Sequence, residues 1–195
     1  MDGNSSRQVL LRAGLSQMRR HGYNATGVQA IIEQAKLPKG SFYHHFGSKE
    51  RFGEEVVAAY FEDHLNRVLR RFLDDEALTP RQRLLSYFAH VTTLLKKDGF
   101  ACGCLIGNLT LEAADTSKRI QQRVSMIFAA WRQAFAGCIA EAQAVGEIGT
   151  TVAAHELAEF LLSAWEGAML RAKADKTSAP LDLFQRLAAE RILSP

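Results

Sequence analysis

Residues 28–50, VQAIIEQAKLPKGSFYHHFGSKE, constrain the fold most, because they read as two short helices joined by a tight turn and followed at once by the start of a third. Val28, Ile31, Ile32 and Ala35 recur at steps of three and four, which buries one face of a two-turn helix and leaves Gln29 and Glu33 to water. Lys36-Leu37-Pro38 ends that helix, since proline lacks a donor and biases the residue before it away from helical geometry. Pro38 can also open the next helix. In that helix, Lys39 to Phe46, the rings of Phe42 and Phe46 stand four apart on the inward face, and Lys39, Ser41, Tyr43, His44 and His45 occupy the rest. A helix this short is unstable alone and must pack at an angle on its neighbour. The arrangement is that of a helix-turn-helix, whose second helix enters the DNA major groove. The competing reading is an aromatic core with an incidental histidine pair. It leaves unexplained Thr26 ahead of the first helix, Gly40-Ser41 at the start of the second and Ser48-Lys49-Glu50 opening the third.

The run from Gly22 through Glu50 resembles the DNA-binding domain of tetracycline-repressor-type (TetR family) regulators. The resemblance is carried by Gly22-Tyr23, Thr26, Val28, Ile31, Ala35, the block Lys39-Gly40-Ser41-Phe42-Tyr43-His44-His45-Phe46 and Lys49-Glu50. It covers the first quarter of the chain and implies a DNA-binding domain over 1–50 and a helical regulatory and dimerisation domain over 51–195. On this reading Lys39, Gly40, Ser41, Tyr43 and His44 meet DNA, with Tyr43 and Lys49 at phosphates. Thr26 is expected to cap the first of the two helices, where its hydroxyl and the free backbone donors would suit a phosphate oxygen. The family resemblance further implies a homodimer joined through its last two long helices, which presents two recognition helices to an inverted-repeat operator. Repression is the family's usual outcome.

Charge is distributed accordingly. Residues 1–51 hold eight Lys or Arg against three Asp or Glu, a net +5, whereas the whole chain carries only +3, so the remainder is about −2. A basic amino-terminal quarter is the footprint of phosphate binding. With 47% hydrophobic residues in 195, the chain can bury one good core or two small ones. It has no uncharged apolar run of 18 residues, and Met1-Asp2-Gly3-Asn4 has no apolar signal region, so a cytoplasmic protein with no membrane association is expected.

In chain order, Ser5 or Ser6 is expected to cap a helix to Arg20, with Gly14 in its middle marking close approach of a neighbour. A long helix follows from Lys49 to about Asp74, burying Phe52, Val56, Tyr60, Leu65, Val68, Leu69 and Phe72. Further helices are read from Pro80 to Lys97, through about Ala114, from Ser117 to Val145, from a Thr151 cap to Ala174, and from Leu181 to Leu193. The fold class is therefore all-α, with about nine helices. Ala158, Leu161, Leu162, Trp165, Ala168 and Met169 mix small and large side chains as a close helix pairing does, and are assigned to the dimer interface.

Enzyme signatures are missing: no nucleophile elbow, phosphate loop or dinucleotide fingerprint occurs. Cys102-Gly103-Cys104 has one residue between thiols instead of the two of zinc and redox motifs, and adjacent His44 and His45 point about 100° apart on a helix. No catalytic residue, metal or cofactor is expected. A helical scaffold or small-molecule-binding module that does not touch DNA is the alternative function. The effector, a small molecule of unknown identity, is expected at a cavity edged by residues 99–108 and lined by Phe88, Phe100, Cys102, Cys104, Trp131, Phe135 and Trp165. The 99–108 segment also looks like a family subgroup in which a Gly-Cys-Leu-rich helix start borders the effector pocket, some members responding to electrophiles or oxidants. Cys102, at a helix entry where free backbone donors stabilise a thiolate, is expected to be more reactive than Cys138, with Cys104 two residues away also a candidate.

Overall fold

The structure is a computed structural model that describes residues 3–195, and the side chains of Asn4, His64 and Leu65 lie outside the description. Leu65, expected to point inward, falls among them. Among the described residues there is no strand. The order is α1 Gly3–His21, α2 Val28–Ala35, α3 Lys39–Phe46, α4 Lys49–Tyr60, π1 Phe61–Leu65, α5 Asn66–Leu73, α6 Pro80–Lys97, α7 Leu105–Ala113, α8 Lys118–Ala144, α9 Ala154–Asp175, α10 Ala179–Leu187 and π2 Ala188–Ile192. Taking α4 to α5, and α10 with π2, as one helix each gives nine among the described residues, the number anticipated.

The chain forms two compact units. The first is Met1–His64 with Leu105–Ile127, and the second is Leu65–Cys104 with Phe128–Pro195. In the first, α1 packs on α2, α3 and α4. At Gly14 a side chain of α4 crowds α1, since a Cβ there would lie 2.3 Å from Phe52 Cζ, as the glycine in mid-helix anticipated. Leu10, Met18, Ile31, Phe42, Phe46 and Phe52 close this core. In the second unit, α5 packs on α6 and α10 packs on α9 and α6. Its core is aromatic: the Phe88 ring lies 5.4 Å from Phe135, 5.0 Å from Trp165 and 4.9 Å from Phe184.

Several helix starts differ from the sequence reading. Ser5 and Ser6 lie inside α1. The N-cap of α2 is Gly27, without a side-chain cap, and that of α9 is Ala153, where Glu156 accepts from the Ala153 N–H at 3.3 Å in place of a Thr151 cap. Thr79 and Gln82 do form a reciprocal box ahead of Pro80. The helix expected from Lys49 to Asp74 is interrupted by π1, and a π turn holds an extra residue. Beyond it Leu69 and Leu73 are buried, while Val68 and Phe72 are only half-buried.

Candidate nucleic-acid interface and effector region

Helix α3 is fixed from beneath and left open above. Lys36 turns left-handed at φ 53, and the N–H groups of Lys36 and Leu37 close onto the Glu33 and Ile32 carbonyls, ending α2. Pro38 stands at the N-cap of α3, and its carbonyl accepts from Ser41 N–H at 2.9 Å. Phe42 and Phe46 are fully buried, with ring centroids 4.9 and 4.7 Å from Phe52. That anchoring leaves Lys39, Gly40, Tyr43 and His44 exposed and Ser41 half-buried. Lys39 Nζ lies 5.9 Å from the Tyr43 ring centroid, so cation and phenol share one patch. Gly40 has open space where a Cβ would stand.

Two expected members of the phosphate set are differently placed. Thr26 is only 1% exposed, and its hydroxyl donates to Gly22 O at 2.6 Å, so it ties the α1–α2 turn together. The open backbone donors at this helix start follow Gly27. Lys49 is half-buried, donates to Asn24 O at 3.1 Å and sits 4.6 Å from the Tyr23 ring centroid. Burial pulls its ammonium below the usual lysine value, with Glu112 acting in the opposite direction.

Sequence reading missed how α7 and the start of α8 grip this unit. The Glu112 carboxylate accepts from Asn24 N–H at 2.7 Å, and the Glu112 carbonyl accepts from the Asn24 amide at 3.1 Å. Its carboxylate lies against Gly22, at φ 84, where a Cβ would come within 2.5 Å. Ser117 Oγ donates to Glu50, and Glu54 accepts from Arg119 at 2.8 Å and Arg123 at 3.0 Å. Burial pushes the Glu54 carboxyl up, but the two arginines hold it below the usual range. Only pairing across 65 to 88 residues reveals these contacts, and short-range periodicity carries no such signal.

In the second unit Phe88, Trp131, Phe135 and Trp165 meet in one buried cluster, with Trp131 6.2 Å from Phe135. Phe100 is half-buried at φ 56, and its carbonyl accepts from Lys176 Nζ at 3.1 Å. Cys102 and Cys104 are buried and not in disulfides, and the Cys102 N–H donates to Asp98 at 3.1 Å. The Cys104 thiol is hydrogen-bonded to the Glu166 carboxyl. Glu166 Oε1, Trp131 Nε1 and Trp165 Nε1 are enclosed without a hydrogen-bond partner. Glu166 was not foreseen, although a lone acid between Leu162 and Met169 on an otherwise apolar arc is a readable sign. A separate open pocket of about 300 Å³ lies between α5 and α8, bordered by Leu69, Arg70, Gly137, Cys138 and Glu141. Burial pushes the Cys138 thiol up to about 12, which keeps it protonated.

An all-helical chain that presents the second helix of a helix-turn-helix from its basic amino-terminal quarter is a DNA-binding transcription regulator. Residues 10–56 match the family described as bacterial regulatory proteins, tetR family, and residues 80–188 match the tetracyclin repressor-like C-terminal domain. The chain belongs to the tetR family. It is 40% identical over 187 residues to the HTH-type transcriptional repressor DhaR of Mycobacterium sp. (strain GP1), covering 96% of this chain and 92% of that protein. It is 35% identical over 185 residues to the transcriptional regulator AcuR of Cereibacter sphaeroides, covering 95% and 84%. Among solved structures it superposes on the reduced form of E. coli NemR with a TM-score of 0.91 at 25% identity, covering 98% of both chains.

Proposed function

We propose that the chain is a repressor that binds an inverted-repeat operator as a homodimer in the cytoplasm and is released by a small-molecule or thiol-reactive effector. The observation that carries the reading is the exposed Lys39, Gly40, Tyr43 and His44 surface on a helix pinned by Phe42 and Phe46. Residues 1–50 are the reader, Tyr43 and Lys39 lie at or near phosphates, and 51–195 regulate and dimerise. The relative DhaR is named a repressor, which supports repression here. No described helix is long and apolar enough to cross a membrane.

The dimer surface moves from the residues first assigned to it. Ala158, Leu161, Leu162, Trp165, Ala168 and Met169 are buried within the chain itself. Exposed apolar side chains on the packed pair α9 and α10 are Phe160, Leu170, Leu183 and Leu187, and these are the better interface. An effector site in the second unit is supported by two indole N–H groups and a carboxyl oxygen that have no partners among packed aromatics. Buried polar atoms in proteins are rarely left so. A mobility-shift assay on the upstream intergenic DNA tests the reading. Retardation of the fragment bearing an inverted repeat, and not of a scrambled one, is expected; equal retardation of both overturns it.

A further inference from the structure

We propose that Glu166 is the proton acceptor that makes Cys104 the reactive thiol toward an α,β-unsaturated carbonyl effector. The inference rests on the effector-released repressor reading above and names the chemistry of its thiol arm. One side of the Glu166 carboxyl already takes the hydrogen bond of the Cys104 thiol, and Oε1 is enclosed with no partner. The proton to be moved and the group to receive it are therefore in contact before any ligand enters. Burial pushes the Glu166 carboxyl up to about 7, partly countered by the Cys104 hydrogen bond. Both of its protonation states are thus populated near neutral pH, as a group that must accept and then return a proton requires.

The other cysteines are differently situated. Cys138 gives its thiol hydrogen to Pro80 O and is held protonated, and Cys102 is anchored through its backbone to Asp98. The sequence favours Cys102 over Cys138 and leaves Cys104 open beside it; the hydrogen-bonded carboxyl selects Cys104, and the helix-entry argument for Cys102 weakens because α7 begins only at Leu105. The indole N–H groups of Trp131 and Trp165, without partners in the same unit, are donors of the kind a carbonyl oxygen accepts.

The step balances within the pair and the ligand. Glu166 takes the Cys104 proton as the sulfur electron pair forms a C–S bond to the β-carbon. The C=C π pair moves toward the carbonyl oxygen as an enolate, and Glu166 returns the proton to the α-carbon. S–H has added across C=C, with no oxidant and no leaving group.

Methyl vinyl ketone is the probe, with alkylation of each cysteine followed by mass spectrometry alongside operator release. In the native protein Cys104 is expected to react first and release to track its alkylation. Glu166→Gln is expected to slow Cys104 by about tenfold or more while leaving Cys102 unchanged. Should that variant not fold by circular dichroism, Glu166→Asp, which withdraws the acid by one methylene, is expected to slow Cys104 selectively as well. Native-rate alkylation of Cys104 in a folded Glu166 variant overturns the role of Glu166 while leaving the thiol-effector reading intact. If methyl vinyl ketone leaves the native protein on its operator, the thiol-effector reading falls and this inference with it.

Discussion

Gly40 separates what the fold needs from what the ligand needs. Nothing in the chain lies within 4 Å of the Cβ it lacks, so the protein's own packing does not require glycine there. Gly40→Ala should therefore raise stability, by up to about 1 kcal/mol from helix propensity, and weaken operator binding because the proposed docking sets that methyl against the DNA. Denaturation and binding curves moving in opposite directions are the expected result, and unchanged affinity would remove Gly40 from the interface. Gly14 is the opposite case. A Cβ 2.3 Å from Phe52 Cζ makes Gly14→Ala an overpacking change, expected to cost about 1–3 kcal/mol in urea denaturation despite alanine's better propensity. Both glycines were visible in the sequence, and the meaning of Gly14 was legible because glycine in mid-helix sacrifices stability unless a neighbour occupies the space of its missing Cβ. Thr26 was misread for a physical reason: a threonine before an apolar run is a cap by pattern, and only the turn geometry shows its hydroxyl already donating to Gly22.

At the scale of elements, the helices were legible because each carries an apolar stripe at helical spacing, and α3 was legible in the block around Phe42 and Phe46. What joins elements distant in sequence was not. Glu54 with Arg119 and Arg123 is the clearest example, since three charges on two amphipathic faces look like ordinary solvated residues until the faces meet. Because the folded-state carboxyl titrates below its unfolded value, the unfolded chain binds the proton more readily. The pair's stabilisation is therefore present above the ordinary carboxylate range and is lost as pH falls through the depressed folded value. Glu54→Gln should cost no more than about 1 kcal/mol at neutral pH, because solvent screens the two partly exposed arginines, and should flatten the decline in stability on acidification. Denaturation at a series of pH values checks this, and a variant that declines as steeply as the native protein would deny the linkage. The π1 turn was likewise illegible, because the run Phe61-Glu62-Asp63-His64-Leu65 fits an α-helix equally well by propensity.

At the scale of the molecule, the chain passes between its compact units at 64–65, 104–105 and 127–128, so the segment holding α7 and the start of α8 is compact with α1 to α4. The boundary proposed at residue 50 is thus a division of labour and not of compactness. Dimerisation has its own test. Phe160→Glu with Leu170→Glu, both at exposed sites, should yield folded monomers in sedimentation and lose the operator, whereas Trp165→Glu should unfold the second unit. A folded double variant that remains dimeric would place the interface on another face. The central claim, that the α3 surface reads an operator, is tested most directly by fluorescence anisotropy on the upstream inverted repeat across a salt series. The native protein and a Lys39→Ala, Tyr43→Ala variant are compared, with equal helical content confirmed. The account predicts that the native protein prefers the repeat over scrambled DNA, and that the variant binds far more weakly with a salt slope lower by about one unit for each phosphate that Lys39 neutralises. Equal affinity of the native protein and the folded variant for the repeat would contradict it.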